Sequence, residues 1–281
     1  MTTWEASLAG DIMSWKLSLL IDLAREIYSA VHPMLGTPRA GKIVGSGFGG
    51  DKTKLIDAAA ERAAIQHLEK GGNSCIFIGE ECGVKRIGDS PKFYLIVDGV
   101  DGTSNAVRGV KFSSASIAMS RTEWLKDLEA GAVIDLYNGK IFSAERGLGA
   151  KYEGQSIKPS DVKSLKEAIV SVDVSRSPDA IRRTTPVMEK VMAVRSLGSA
   201  SLAICHVASG FLDAYIDLRG TLRTVDFAAG MFIIREAGGV FLQPNGEKIP
   251  NLPLTELKRF RIVAAANKPL FNEISSLISL K

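Results

Sequence analysis

An apolar run that passes directly into two aspartates is the feature that most constrains the fold of this chain. Residues 93–97 read FYLIV, which is typical of a buried strand, and the turn DGVDGT at 98–103 follows without a break. Open α/β sheets place ligand sites at the carboxyl ends of their strands. Asp98 and Asp101 would repel each other across this turn unless a cation lay between them. A surface Asp-Gly turn explains the same letters equally well.

Oxygen atoms would have to hold any metal that this chain binds. Its three histidines are far apart and form neither HxxxH nor HExxH, which argues against zinc held by histidines. Carboxylate and carbonyl oxygens favour Mg²⁺, Mn²⁺ or Ca²⁺ instead. The three cysteines form no CxxC pair, and we therefore expect a reducing, cytoplasmic location.

Further acidic residues occur beside three other predicted elements. Glu80 and Glu81 follow a second apolar run, and Asp226 stands at the start of a predicted helix, where we expect it as the N-cap. Asp57 and Glu61 are four residues apart on another helix, where like charges are destabilising unless a cation is near. Taken singly, each feature is explained by a solvated loop, a helix cap or a charged helix face.

The order of the predicted elements indicates two layered subdomains. Short strands dominate the first half, with a hairpin turn at 137–139, and strands alternate with helices in the second half. We expect an N-terminal subdomain over 1–160 and a C-terminal one over 161–281, together forming one compact unit. The predicted helices are 15–31, 53–70, 186–191, 199–209, 227–237 and 269–280. The predicted strands are 75–78, 93–97, 114–119, 132–136, 140–144, 168–174, 213–218, 239–243 and 261–265.

Composition and charge exclude several classes of protein. With 35 Lys and Arg against 31 Asp and Glu and no basic cluster, nucleic acid is not expected as a partner. No stretch reaches the ~18 uncharged apolar residues of a membrane helix. Glu5 and Asp11 lie in the first residues, and we expect no signal peptide.

Three acidic motifs follow one another at wide spacing: the EE pair at 80–81, DxxDGT from Asp98, and DxAAG from Asp226. In this order they resemble the inositol monophosphatase superfamily of Mg²⁺-dependent sugar-phosphate phosphatases. The GD pair at 50–51 and DxxxE from Asp57 are similar to its archaeal and bacterial branch, which combines inositol-1-phosphatase and fructose-1,6-bisphosphatase activities. The resemblance implies a layered αβαβα sandwich of α+β or α/β class, a sugar or polyol phosphate as substrate, and a homodimer.

The resemblance also implies two Mg²⁺ ions at the site, with Mn²⁺ as an alternative. Glu80, Asp98 and the carbonyl of Val100 would hold one ion. Asp98, Asp101 and Asp226 would hold the other. Two such ions clamp the attacking and leaving oxygens of an in-line displacement.

A third, weaker ion would lie near Glu80 and Asp57, beside the glycine-rich loop 45–50. The nucleophile implied by the resemblance is a water molecule that Glu80 and Thr103 position. A bound metal ion lowers the pKa of such a water far below that of bulk water.

The phosphate is expected at the backbone of Gly102, Thr103 and Ser104, because these residues open a predicted helix whose free N–H groups favour an anion. The residues implied on the sugar side are Gly198, Ser199, Ala200, Asp217, Arg195 and Arg219. An arginine here, including Arg223, suits a second phosphate by its planar fork. A salt bridge on a charged face explains any single arginine better.

Other functions fit parts of the same pattern. A 3′-phosphoadenosine 5′-phosphate nucleotidase would need an aromatic platform for adenine, and a relative that binds RNA or the transcription machinery would need a basic stripe. A catalytically dead scaffold is disfavoured because the acidic residues and Thr103 are all present. The usual turn in the superfamily is DPIDGT, and Gly99 replaces its proline here. Glycine leaves the backbone freer, which predicts weaker metal binding.

Overall fold

The computed structural model describes residues 13–48, 50, 52–256 and 258–278. Predictions that involve Glu5, Asp11, Gly49, Asp51 or Leu280 therefore lie outside the described residues. The helices are α1 (Trp15–Val31), α2 (Leu55–Lys70), α3 (Thr103–Arg108), α4 (Pro178–Met188), α5 (Ala200–Ala208), α6 (Thr224–Glu236) and α7 (Lys268–Ile278). Short 3₁₀ turns cover His32–Met34, Leu125–Asp127 and Leu165–Glu167.

The strands form two sheets and a separate hairpin. The hairpin pairs β1 (Ile43–Ser46) with β2 (Lys52–Lys54). The first sheet contains β3 (Cys75–Gly79), β4 (Gly83–Ile87), β5 (Tyr94–Asp101), β6 (Ser114–Ser120), β7 (Leu128–Asp135), β8 (Ile141–Glu145), β9 (Ala150–Tyr152) and β10 (Gln155–Ser156), in the order β10-β9-β8-β7-β6-β5-β3-β4. The second contains β11 (Ile169–Asp173), β12 (Ala193–Arg195), β13 (Ala214–Arg223), β14 (Val240–Leu242) and β15 (Arg259–Ala265), in the order β12-β11-β13-β15-β14.

Three apolar clusters hold these elements in five layers. One joins α1 and α2 to one face of the first sheet. The second joins the other face of that sheet to α5, α6 and the second sheet. The third joins the outer face of the second sheet to α4 and α7. The predicted αβαβα sandwich is confirmed.

The central layer explains the composition of α6. Ten of its 13 residues are buried, because the helix lies between two sheets and has no solvent face over most of its length. β15 shows the alternation expected of a strand between two cores: Phe260 and Ile262 join the central cluster, whereas Val263 and Ala265 join the outer one.

Each sheet contains a parallel strand pair that brings two acidic residues together. In the first sheet β3 runs parallel to β5, with Gly79 opposite Val97, so Glu80 and Asp98 leave neighbouring strands at the same edge. In the second sheet β11 runs parallel to β13, and Asp173 lies directly opposite Asp217. Because the two strands of each pair run in the same direction, both pairs of acidic residues lie at the carboxyl ends of their strands.

Several predicted boundaries are wrong. The range 186–191 was predicted as part of a helix; residues 186–188 are the end of α4, which begins at Pro178 behind the N-cap Ser177, and residues 189–191 follow the helix. The helix predicted from 227 begins three residues earlier, at Thr224. β4 was not predicted, since its sequence GVKRI has only weak apolar alternation. The division at 160/161 stays a prediction; strands of the first sheet end at Ser156 and those of the second begin at Ile169.

Within the described residues, no helix combines the length and the apolar character that a membrane crossing requires.

Candidate metal centre and phosphate site

Three carboxylates from three separate segments converge at the edge of the first sheet. Glu80 follows β3, Asp98 lies in β5, and Asp226 lies in the first turn of α6. Each offers one oxygen atom, and these oxygens all lie within 4.8 Å of one another. The structure thus brings together three of the residues predicted as metal ligands.

The turn after β5 is held by its own backbone. Asp98 Oδ1 accepts a hydrogen bond from Val100 N at 3.0 Å, and Thr103 Oγ1 donates to the Val100 carbonyl at 3.0 Å. Gly99 packs directly on α2: a Cβ added there would lie 2.6 Å from the Cβ of Ala60. The sequence offered no reason for this glycine, and the structure supplies one, since helix α2 leaves no room for a side chain.

Asp101 lies beside the cluster rather than inside it. Its Oδ2 accepts hydrogen bonds from Ser199 Oγ and from Ser201 N, both at 2.7 Å. The carboxylate therefore satisfies amide groups at the start of α5, where a negative charge is favourable. Ser199 is the N-cap residue by position, but its hydroxyl is turned toward Asp101 and lies 3.0 Å from Ser114 Oγ.

Asp226 was predicted as the N-cap of α6, and this is wrong: it is the third residue of the helix. Its Oδ2 accepts a hydrogen bond from Arg223 N at 2.7 Å. The guanidinium of Arg223 lies 3.3 Å from Asp226 Oδ1 and also contacts Glu80 Oε1. Arg223 is thus the positive charge inside the acidic cluster, a position that sequence spacing alone did not indicate.

A second acidic group surrounds the β3–β4 turn. Glu61 is buried on α2 and accepts hydrogen bonds from Glu81 N and Cys82 N, each at 2.8 Å. Glu81 in turn accepts a hydrogen bond from Thr53 Oγ1. Glu61 therefore holds the turn that carries Glu80 through these two hydrogen bonds. A neighbouring lysine or arginine is not what compensates its charge.

Asp57 is the third residue of α2, where its Oδ2 accepts a hydrogen bond from Lys54 N at 3.2 Å. It is buried and close to Thr103, whose hydroxyl therefore lies between the Val100 carbonyl and the Asp57 carboxyl. The structure thus places Asp57 beside Thr103 in the turn at 98–103; these are two of the three residues predicted as catalytic, the third being Glu80.

Burial raises the pKa of the carboxyl groups around this site. It raises the pKa of Asp98 well above the ordinary range, and the carboxylates of Glu80, Asp101 and Asp226 raise it further. Burial also raises the pKa of Asp101 to about 7, against the opposing hydrogen bond from Ser199. It raises that of Asp226 to about 6, although Arg223 opposes this. The pKa of Asp57 rises to about 7 by burial and by the nearby Glu81.

An oxygen-only, partly buried group with excess negative charge fits a hard divalent cation. Several buried carboxylates within a few ångströms are stable as anions only when a cation compensates them, and carboxylate oxygens are the preferred ligands of Mg²⁺. Of the residues that the structure describes, Arg223 is the one that supplies a positive charge to Glu80 and Asp226. The residues present therefore fit the predicted metal.

The predicted phosphate-binding residues open α3. Gly102 precedes the helix with φ +85°, and Asn105 N and Ala106 N both donate to its carbonyl. The amides of Thr103 and Ser104 come before these first intrahelical bonds. The Asn105 side chain, which was not predicted, donates to the Phe112 and Leu197 carbonyls at 2.7 Å each and so ties this loop to the loop before α5.

The residues predicted on the sugar side divide into two groups. Gly198, Ser199 and Ala200 adjoin the metal cluster: a Cβ at Gly102 would meet the Gly198 carbonyl at 2.8 Å, and Ser199 bonds Asp101. Asp217 is completely buried, and both its oxygens are bound by the Arg219 side chain. Arg195 is exposed on β12 at the edge of the second sheet.

A five-layer αβαβα fold with an acidic site at the carboxyl ends of parallel strands defines the chain as a metal-dependent phosphatase. The chain belongs to the inositol monophosphatase family, whose sequence profile matches residues 17–279. The resemblance, the fold and the phosphatase class predicted from the acidic motifs are thereby confirmed. Neither a nucleotidase of 3′-phosphoadenosine 5′-phosphate nor a non-catalytic relative is favoured by the relatives described next.

Among similar proteins is a fructose-1,6-bisphosphatase/inositol-1-monophosphatase of Methanothermobacter thermautotrophicus, 35% identical over 96% of this chain and 98% of the relative. A bifunctional NADP phosphatase/NAD kinase of Methanococcus maripaludis is 34% identical over 89% of this chain, which spans only 47% of that protein. A solved inositol monophosphatase–fructose 1,6-bisphosphatase superposes with a TM-score of 0.81 at 26% identity, covering 94% of this chain and 100% of the other. An extragenic suppressor protein of Bartonella henselae superposes with a TM-score of 0.82 at 24% identity, covering 95% and 99%, and shows the fold alone.

Proposed function

We propose that this protein hydrolyses phosphate monoesters of sugars and polyols, with fructose-1,6-bisphosphate and inositol-1-phosphate as its substrates. The observation that carries the proposal is the convergence of Glu80, Asp98 and Asp226 within 4.8 Å. The printed names of relatives such as that of Methanothermobacter thermautotrophicus support the choice of substrates.

The proposed metal ligands are Glu80, Asp98, the carbonyl of Val100, Asp101 and Asp226. Asp101 uses Oδ2 for Ser199 and Ser201, which leaves its other oxygen for a cation. Two or three Mg²⁺ ions, or Mn²⁺ in their place, would supply Lewis acidity and a water of lowered pKa.

The chain's own contribution to the reaction is to orient the water and the phosphate. The Thr103 hydroxyl donates its one proton to the Val100 carbonyl and lies close to the Asp57 carboxyl, so its oxygen can accept a hydrogen bond from a water held there. Glu80 would orient the same water from the opposite strand. A raised pKa near 7 lets Asp57 exchange a proton at neutral pH.

Binding of the substrate is assigned to two sets of groups. The amides of Gly102, Thr103 and Ser104 would hold the phosphate that is cleaved. The groups assigned to the sugar and to a second phosphate are Gly198, Ser199, Ala200, Asp217, Arg195 and Arg219. For Asp217 to contact a substrate, Arg219 would have to move, since it binds both carboxylate oxygens.

We further propose a homodimer in the cytoplasm. The three cysteines support a reducing compartment, since Cys75 and Cys205 are buried, Cys82 is exposed, and all are unpaired. Sedimentation equilibrium of the purified protein tests the dimer, and a mass of one chain would contradict it.

Phosphate release with Mg²⁺ or with EDTA tests the proposed reaction. The substrates are fructose-1,6-bisphosphate, inositol-1-phosphate, NADP⁺ and 3′-phosphoadenosine 5′-phosphate. NADP⁺ is included because two relatives are named for a phosphatase acting on it. Mg²⁺-dependent release from the first two supports the proposal. Release from NADP⁺ alone would move the substrate to a dinucleotide and keep the chemistry, and release from none would contradict the function.

A further inference from the structure

A cavity of about 800 Å³ lies at the second sheet, where β13 departs from regular pairing. The register between β13 and β15 shifts between Asp217 and Leu222, so four residues of β13 stand opposite Arg261 alone. Gly220 takes φ +70° at this bulge, and Arg261 Nε donates to the Leu218 carbonyl at 2.8 Å. Bulges re-aim side chains at sheet edges and beside functional sites.

The lining of this cavity is strongly basic. Its positively charged residues are Arg183, Arg219, Lys248, Lys258, Arg259 and Arg261. Among the described residues, Glu247 is its one acidic lining residue. Arg259 and Arg261 share a face because strand side chains alternate, and both are exposed.

Among the described residues, three of these six positively charged side chains have no carboxylate partner. Arg183 and Arg261 share Asp179, at 2.8 and 3.5 Å, and Arg219 is bound by acidic residues of the second sheet. For Lys248, Lys258 and Arg259, by contrast, no carboxylate within the described ranges lies at salt-bridge distance. Like charges that line one concave surface repel one another, and an anion bound there removes that repulsion.

We propose that this basic cavity is a second anion site, which binds a phosphate group of a small phosphorylated molecule at a place separate from the metal cluster. Its volume lies within the ~300–1,000 Å³ of small-molecule sites. Arginine forks are suited to phosphate oxygens. Nucleic acid is disfavoured, because it needs an extended basic surface, whereas the chain as a whole carries only +4.

Arg219 connects this cavity to the substrate side of the protein. Its side chain lines the cavity, and its Nη2 lies 3.0 Å from Asp173 Oδ2 and 2.5 Å from Asp217 Oδ2. An anion in the cavity competes with these two carboxylates for the same guanidinium. Occupation of the cavity therefore loosens the hold of Arg219 on Asp217.

Calorimetric titration with inorganic pyrophosphate tests the site directly. The full-length protein is kept in EDTA, so that no metal can hold the probe at the acidic cluster. The double variant Lys258→Ala/Arg259→Ala is expected to bind at least about tenfold more weakly than the wild type. The matched control Lys163→Ala/Lys166→Ala removes the same charge from exposed positions outside the cavity and is expected to bind like the wild type.

The proposal is overturned if the wild type does not bind pyrophosphate, or if the control pair loses as much affinity as the cavity pair. Because this titration needs neither metal nor turnover, it does not depend on the proposed phosphatase activity, and either claim can fail alone.

The source of the phosphate is distinguished by kinetics with Mg²⁺. If it is the second phosphate of the substrate, Lys258→Ala/Arg259→Ala raises KM for fructose-1,6-bisphosphate by about tenfold and leaves KM for inositol-1-phosphate unchanged. If it belongs to a separate molecule, both KM values stay unchanged while pyrophosphate binding is lost. An equal rise for both substrates would overturn the proposal, because it would place the cavity in the general architecture of the catalytic site.

Discussion

Two of the parallel strand pairs, β3–β5 and β11–β13, use the same topological device and differ in charge balance. At β3 and β5, Glu80 and Asp98 are joined by Asp226, and within the described part of the chain Arg223 is the one cation that pairs with this group. At β11 and β13, the carboxylates of Asp173 and Asp217 face each other and share Arg219 between them. The first group has three carboxylates to one guanidinium, whereas in the second group two carboxylates share one, so the first has the greater need for an added cation.

This difference shows that a pair of buried carboxylates does not by itself define a metal site. Burial raises the pKa of Asp98, Asp101 and Asp226 in the first cluster, and the neighbouring carboxylates raise it further. Burial also raises the pKa of Asp173 in the second cluster, where the Arg219 guanidinium opposes the rise. Buried carboxylates need a compensating positive charge, and either an arginine of the protein or a metal ion can supply it.

The largest effect is expected from Asp98→Asn. The change removes the carboxylate at the centre of the metal cluster, and Mg²⁺-dependent phosphate release should fall by more than about a hundredfold. The fold should persist, because one buried negative charge is removed from a like-charged group. The control is Asp89→Asn on the exposed loop before β5, which should retain full activity. Retained activity in Asp98→Asn would contradict the assignment of the site.

Arg219→Met sharpens the comparison from the other side. It leaves Asp173 and Asp217 buried without their shared cation, and the free energy of unfolding should fall by about 3–5 kcal/mol. Denaturant unfolding measures the loss. The exposed Arg195→Met, at the edge of the same sheet, should change it by no more than about 0.5 kcal/mol. Equal effects of the two changes would show that the second cluster is not held by its arginine.

Gly99→Ala tests how closely α2 supports the metal turn. The added methyl would lie 2.6 Å from Ala60 Cβ, and overpacking of this kind is expected to destabilise by about 1–3 kcal/mol. Gly45→Ala is the control, because a Cβ there meets nothing within 4 Å. Combining Gly99→Ala with Ala60→Gly should restore most of the loss. No restoration would place the cause elsewhere.

Arg223→Gln should produce the smallest effect, and in the favourable direction. The guanidinium and a metal ion compete for Glu80 and Asp226, so its removal should tighten Mn²⁺ binding by about three- to tenfold. Electron paramagnetic resonance of bound Mn²⁺ measures the affinity. Arg121→Gln, which breaks an exposed arginine–glutamate pair elsewhere, should leave it unchanged. Weaker binding in Arg223→Gln would mean that Arg223 orients the ligands and does not compete.

The sequence predicted many of the strands and helices and the acidic residues at their ends because these depend on local signals, whereas the αβαβα fold was implied by the family resemblance. The apolar runs that end before Glu80 and Asp98 in the sequence are buried strands in the structure. Glycines mark the ends of predicted helices. The acidic motifs then identified the family, which periodicity could not have done.

What the sequence did not predict depends on distance in space. Arg223 was considered for a second phosphate, with a salt bridge as the better explanation of any single arginine, and the structure shows it in contact with Glu80 across 143 positions of the chain. Asp226 was placed at the N-cap, since helix α6 gives no capping serine or threonine that would mark its earlier start. The bulge that forms the basic cavity leaves no local signal beyond Gly220.

Unfolding of the metal-free protein with and without Mg²⁺, at pH 5 and pH 7.5, tests the central claim most directly. The raised pKa values of Asp57, Asp101 and Asp226 mean that the folded state holds protons which the unfolded state has lost above about pH 4. Stability without metal should therefore decline as the pH rises from about 4 to about 7 and change little above that. Mg²⁺ should stabilise strongly at pH 7.5, by about 2.7 kcal/mol at a hundred times its Kd, and little at pH 5. Equal stabilisation at both pH values, or none at either, would contradict the claim that the first cluster is completed by a metal ion.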